Sequence, residues 1–133
     1  MALNVSWRNK QKTILHQQFD GTWSLDDYFI LLGETYDLLM TVNHDVTIIM
    51  DFSTNTTLTA DILLSMGSAS ALYVDSHYHE NQRRVIMVNA SPLMKALVHM
   101  ARHHAPRLNT DITYVDSYKD ALIQLSQLAF RRT

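Results

Sequence analysis

Two apolar runs restrict the possible folds of this chain more than any other feature of its sequence. Residues 46–52 read VTIIMDF and residues 85–90 read VIMVNA. Both runs are rich in β-branched or large apolar residues, and neither alternates between apolar and polar positions. Such continuous runs are typical of strands that helices cover on both faces. We therefore predict that the two runs are adjacent central strands of an α/β sheet and point in the same direction.

Shorter β-type runs and helical periodicities surround these two strands. Residues 3–8 and 13–19 predict a hairpin, and residues 112–115 predict a last strand. Apolar residues at steps of three and four predict helices over 25–40, 62–77, 93–104 and 118–129. The element order is β-β-α-β-α-β-α-β-α. The sequence thus predicts one domain over residues 1–133, with a mixed, mainly parallel five-stranded sheet, four helices and an antiparallel edge from the hairpin.

Local capping patterns mark the starts of three of these helices. Ser24 and Ser117 are each followed three residues later by an aspartate, which is a capping-box pattern. Ser91-Pro92 supplies an N-cap and a proline in the first helical position. On the first helix the periodicity predicts one buried stripe, with Ile30, Leu31 and Leu38 outside it. The predicted stripe consists of Leu25, Tyr28, Phe29, Leu32, Tyr36, Leu39 and Met40.

Composition limits the function classes. The 133 residues are 47% hydrophobic and 18% charged, include no cysteine and contain no apolar stretch long enough to span a bilayer. No secretory signal pattern is present at the N-terminus, so a cytoplasmic protein away from membranes is expected. No dense cluster of lysine and arginine offers a surface for a phosphate backbone, so nucleic acid is not an expected partner.

The polar loop after the first central strand is the main candidate functional segment. Asp51 ends the strand, and six of the seven residues from Ser53 to Thr59 carry a hydroxyl or amide group. The loop has no glycine to let its backbone approach a phosphate, so we do not expect a nucleotide site. Asp51 has no catalytic companion nearby and is expected to accept hydrogen bonds from loop groups. Thr57 or Thr59 is expected to cap the next helix, with a regulatory modification as the alternative.

Histidines raise a metal hypothesis that the sequence does not favour. His99 and His103 are four residues apart on one helical face, but no third ligand follows from the sequence. His77, His79 and Glu80 form a second cluster, on a loop. We expect solvated or helix-capping histidines, and therefore no metal, no cofactor and no catalytic site.

The element order, the strand Ile48 to Ser53 with its polar loop, the Phe19-Asp-Gly21 turn and the strand Val85 to Val88 together resemble the STAS family, named for sulfate transporters and anti-sigma factor antagonists. The resemblance covers nearly the whole chain. It implies a non-enzymatic regulatory domain whose loop contacts a protein partner, such as a kinase or an anti-sigma factor, and presents a hydroxyl for phosphorylation. Ala60 stands where the family's modified serine would align, which leaves Thr57 or Thr59 for that role.

The leading hypothesis is therefore a regulatory interaction domain that acts through the loop 53–59 and the predicted helix 62–77. An alternative function comes from the additional apolar residues of two helices, which include Leu31, Met94 and Val98. A helix that is apolar on more than one side buries the extra side in a ligand cavity or against another subunit. The alternative is thus a carrier or sensor of a small apolar, lipid-like ligand, bound between the sheet and the first or third predicted helix. A homodimer is consistent with the same residues.

Overall fold

Strands and helices alternate along most of the chain in a computed structural model that describes residues 3–54, 56–58, 79–104 and 111–131. The strands are β1 (Leu3–Trp7), β2 (Ile14–Phe19), β3 (Thr22–Trp23), β4 (Val46–Phe52), β5 (Thr57–Leu58), β6 (Gln82–Val88) and β7 (Asp111–Val115). The helices are α1 (Leu25–Leu39), α2 (Pro92–His104) and α3 (Tyr118–Arg131).

The main sheet has five strands in the order β1-β2-β4-β6-β7. β1 pairs with β2 in antiparallel orientation, and every other pair in this sheet is parallel. The two apolar runs lie side by side, with Ile49 opposite Ile86 in a parallel register. The prediction of an α/β fold with a mixed, mainly parallel five-stranded sheet and an antiparallel edge is confirmed.

Helices cover both faces of this sheet, which explains why its central strands are apolar at successive positions. On one face, Ile48, Phe52 and Met87 belong to a core that also contains residues of α1 and α2. On the other face, Ile49 and Ile86 pack with Ala121 of α3. Since neighbouring strand residues point to opposite faces, both sets of side chains are buried.

The described residues include three of the four predicted helices, whose starts follow the caps in the sequence. Ser24 and Asp27 form the reciprocal capping box of α1, and Met94 and Asp120 each donate a backbone N–H to the serine that caps α2 or α3. The predicted helix 62–77 lies outside the described residues. Among those described, no helix is both long and apolar enough to cross a membrane.

The buried stripe of α1 differs from the predicted one. Leu31, expected outside the stripe, is buried, whereas Met40, expected inside it, is exposed and caps the helix C-terminus. Thr35 explains the error, because this polar residue is buried and therefore hides the true stripe from a pattern of apolar residues. Its hydroxyl accepts a hydrogen bond from buried Gln17 Nε2 at 2.9 Å and donates to the Leu31 carbonyl at 2.8 Å.

Candidate functional site

An open cleft lies where β4 and β6 end and α2 begins. Its volume is about 400 Å³. We call it the carboxyl-edge cleft, lined by Phe52, Ser53, Thr54, Thr56, Asn89, Ala90, Ser91, Pro92 and Met94. In α/β sheets, ligands and partners commonly bind at the carboxyl ends of parallel strands, because loops from neighbouring strands meet there. The polar loop predicted from the sequence forms one wall of this cleft.

Hydrogen bonds to the end of β2 hold the first part of the loop in place. Ser53 donates its hydroxyl to Asp20 Oδ1 at 2.6 Å and its backbone N–H to the Phe19 carbonyl at 2.9 Å. Thr56 donates its hydroxyl to the same carbonyl at 2.7 Å. The β2–β4 pairing makes these bonds possible because it places Phe19 opposite Phe52. The two hydroxyls are therefore structural donors that fix the cleft wall.

The second part of the loop is extended rather than irregular. Thr57 lies in β5 and pairs in parallel with Thr22 of β3, and its N–H donates to the Gly21 carbonyl at 2.8 Å. Gly21 has a φ of 67°, a left-handed conformation that glycine adopts without steric cost. The Thr57 side chain of this short strand is exposed.

Asn89 forms the opposite wall and connects three strands. Its φ of 60° is uncommon for a residue with a side chain, although asparagine tolerates it better than most. The Asn89 Nδ2 group donates to the Phe52 carbonyl at 3.1 Å, and its backbone N–H donates to the Val115 carbonyl at 2.9 Å. Beside it, Ser91 caps α2, whose first turn has no acidic residue. The cleft thus has a hydrogen-bonded and well-defined shape.

Asp51 lies away from the cleft, on the face of the sheet that α3 covers. Its Oδ2 atom is 2.9 Å from Nε2 of buried His16, and the Asp51 side chain is 25% exposed. The His16 ring packs against Tyr118, with ring centroids 4.6 Å apart, and Arg8 donates to the Tyr118 hydroxyl. Among the described residues, Asp51 thus bonds an imidazole of β2, whereas the sequence analysis expected amides or hydroxyls of the loop as its partners.

Of the four predicted site residues, the three that the structure describes do not gather at one place. Ser53 lines the carboxyl-edge cleft, Thr57 lies beside it, Asp51 faces the other side of the sheet, and Thr59 lies outside the described residues. The sequence reasoning missed Asp20 and Asn89, which hold the two walls of the cleft, and His16, which bonds Asp51 on the other face of the sheet. Asp20 had a usable signal because it directly follows a predicted strand, and Asn89 had one because it is the polar residue that interrupts the apolar run 85–90.

The histidines show structural contacts where they are described. His79 Nδ1 accepts the Asn81 backbone N–H at 3.0 Å, and its ring meets Tyr36 edge-on with centroids 5.4 Å apart. His99 is exposed on α2, while His77 and the side chain of His103 lie outside the description. Within the described ranges, no three side chains of His, Cys, Asp or Glu gather as metal ligands would.

A double-mutant cycle on His16 and Asp51 is expected to give a coupling of about 1–2 kcal/mol, because either single replacement leaves a buried or part-buried polar group without its partner. The variants are His16→Ala, Asp51→Ala and the double variant, each compared with wild type by urea denaturation. A coupling near zero would contradict the bond. Gln18→Ala, an exposed position on the same strand and face, is the control and should change stability little.

Comparisons with known proteins do not identify a family. No protein-family model matches this chain, and neither a curated protein nor a solved structure matches it. The function must therefore be argued from the residues and the geometry of the cleft.

Proposed function

We propose that this chain is a STAS-like, non-enzymatic regulatory domain that binds a protein partner at the carboxyl-edge cleft. The partner would contact the loop 53–59 and the segment 62–77. The resemblance to the STAS family implies a kinase or an anti-sigma factor as the class of partner. The observation that carries the proposal is the cleft itself, a pre-formed concavity with polar and apolar lining residues at the carboxyl edge of a mainly parallel sheet. The proposal is consistent with the observed α/β fold and its mixed, mainly parallel five-stranded sheet, the architecture on which the resemblance was based.

The chemistry of the cleft favours binding over catalysis. None of the described residues that line it is ionisable, so its walls offer no general acid or base. Ser53 donates its hydroxyl directly to the Asp20 carboxylate. No described imidazole lies between these two groups to act as the base that a nucleophilic serine requires. Hydroxyls, an amide and apolar side chains on a fixed backbone are suited to recognising a protein surface.

A kinase would act at Thr57 or Thr59 in this proposal, and Thr57 is the one of the two that the structure describes. Its side chain is exposed, whereas the Ser53 and Thr56 hydroxyls are used in hydrogen bonds to the end of β2. A phosphate at Thr57 would add about two negative charges beside the Gly21 turn, to which Thr57 is hydrogen-bonded. Modification would therefore change the surface that the partner meets.

Site-specific photo-crosslinking tests the proposal in the cell from which the protein comes. A photoreactive residue replaces Thr54 or Thr57 in the loop, and replaces Thr41 at the opposite edge of the sheet as the matched control. We expect a protein crosslink from positions 54 and 57, and none or at least tenfold less from position 41. Crosslinks absent from both loop positions, or equal at all three positions, would contradict the proposal.

A lipid carrier, the alternative function, receives less support. An apolar cavity does lie between the sheet, α1 and α2, where such a ligand was expected, but its volume is about 60 Å³. Pockets for drug-sized ligands measure roughly 300–1,000 Å³. The cavity can hold only a much smaller molecule without rearrangement.

A further inference from the structure

The small cavity between the sheet and the helices α1 and α2 has an unusual lining. It is lined mainly by apolar and aromatic side chains, including Phe19, Met50 and Met87 of the sheet, Tyr28 of α1 and Met94 of α2. Its volume of about 60 Å³ is several times the roughly 10–15 Å³ that a cavity must leave free to hold one water molecule. A tightly packed core does not normally leave this much space.

Trp23 lines this cavity and carries a polar atom that is not satisfied. The residue is 3% exposed, and Nε1 makes no hydrogen bond to any group in the described part of the chain. Leaving a buried N–H donor unpaired costs about 1–3 kcal/mol. A tryptophan has no other side-chain polar atom, so only an acceptor brought to Nε1 can remove that cost.

The other residues that line the cavity indicate which kind of molecule it can bind. None of the described lining residues is charged at neutral pH, where a tyrosine is a neutral phenol, and burial raises the pKa of Tyr28 further, to about 12. A charged ligand would therefore lose its hydration without gaining an ionic partner. Three methionines line the cavity, and their flexible side chains can shift to enlarge it.

We propose that this cavity binds a small, neutral, mostly apolar molecule with one hydrogen-bond acceptor, and that Trp23 Nε1 donates to that acceptor. A ketone, ester or ether of a few carbon atoms has this chemistry. The site lies under α1 and α2, and its existence does not depend on partner binding at the carboxyl-edge cleft. A bound ligand would stabilise the contact between these helices and the carboxyl ends of the strands.

The indole N–H resonances of the ¹⁵N-labelled protein provide the test. The chain has two tryptophans, and Trp7 on β1 does not line the cavity, so its indole signal is an internal control. The probe is 2-butanone, and the matched compound is 2-methyl-1-butene, in which a CH₂ group replaces the carbonyl oxygen. We expect 2-butanone to move the Trp23 signal to lower field saturably, with a dissociation constant on the order of 1–10 mM, while the Trp7 signal stays in place.

Two variants separate binding from general solvent effects. With ¹³C-labelled methionine methyl groups as a second readout, Trp23→Phe should weaken 2-butanone at least fivefold and change 2-methyl-1-butene little. Val98→Phe should fill the cavity and weaken both compounds, while the other resonances report that the fold is intact. The proposal is overturned if the Trp23 signal does not move, if both indole signals move in parallel, or if 2-methyl-1-butene produces the same shift. It is also overturned if the Trp23 N–H is bonded to a water that 2-butanone does not displace.

Discussion

Replacing Phe19 by alanine is expected to lower the free energy of unfolding by about 3–5 kcal/mol, the largest effect of any single change considered for this chain. Phe19 is 1% exposed at the end of β2. Its ring stacks on Phe52 with centroids 4.5 Å apart and lies 5.3 Å from the Trp23 ring. Truncation would remove these contacts and leave a cavity beneath the loop, because the stiff strands on either side cannot move inward to fill it.

Equilibrium denaturation in urea measures this loss, and a matched aromatic residue on the same sheet serves as the control. Tyr114 on edge strand β7 is 38% exposed, and its ring faces the Lys95 ammonium at 5.0 Å. Tyr114→Ala should therefore cost less than about 1 kcal/mol. Equal losses for the two variants, with unchanged dependence on urea, would mean that Phe19 is not packed as the structure has it.

The Phe19→Ala variant also distinguishes the contribution of the Phe19 carbonyl to the site from that of the Phe19 ring. The Phe19 carbonyl accepts the Ser53 N–H and the Thr56 hydroxyl, and alanine keeps that carbonyl. If partner binding depends on the loop conformation, a folded Phe19→Ala protein should keep the loop crosslinks at Thr54 and Thr57. The packing beneath the cleft and the recognition surface above it can then be measured separately.

The sheet and the helix starts could be predicted because their signals are local. β4 and β6 are apolar at successive positions, which indicates burial on both faces. Each capping serine accepts a hydrogen bond from a backbone amide only three residues further along the chain. The short strands β3 and β5 could not be predicted, since two residues carry no periodicity. They form only because the parallel alignment of β2 and β4 brings Gly21 next to Thr57.

The geometry of the site was harder to predict because it depends on pairs far apart in sequence. Asp20 and Ser53 are 33 residues apart, and His16 and Asp51 are 35 apart. A sequence pattern shows that such residues end or enter strands, but only the register of β2 against β4 shows which of them meet. Asp51 illustrates this, because strand alternation turns its side chain away from the cleft and toward His16.

Leu31 and Met40 give the second large effect, and they distinguish the observed buried stripe of α1 from the one that the sequence predicts. Leu31 is 1% exposed and Met40 is 61% exposed. Leu31→Ala is therefore expected to cost about 2–5 kcal/mol, whereas Met40→Ala should cost less than about 0.5 kcal/mol because the side chain loses little contact. The stripe predicted from apolar spacing requires the opposite order, since it places Met40 in the core and Leu31 outside it.

Thermal and urea denaturation of Leu31→Ala and Met40→Ala distinguish the observed buried stripe from the predicted one. A third variant, Thr35→Val, tests whether the buried threonine is the reason that the prediction was wrong. Valine has the shape of threonine but leaves Gln17 Nε2 without its acceptor, so a loss of about 1–3 kcal/mol is expected in spite of the added apolar group. A neutral or stabilising Thr35→Val would mean that the buried polar pair does not orient α1. Independently of that result, a larger loss for Met40→Ala than for Leu31→Ala would show that α1 packs on the stripe predicted from its apolar residues.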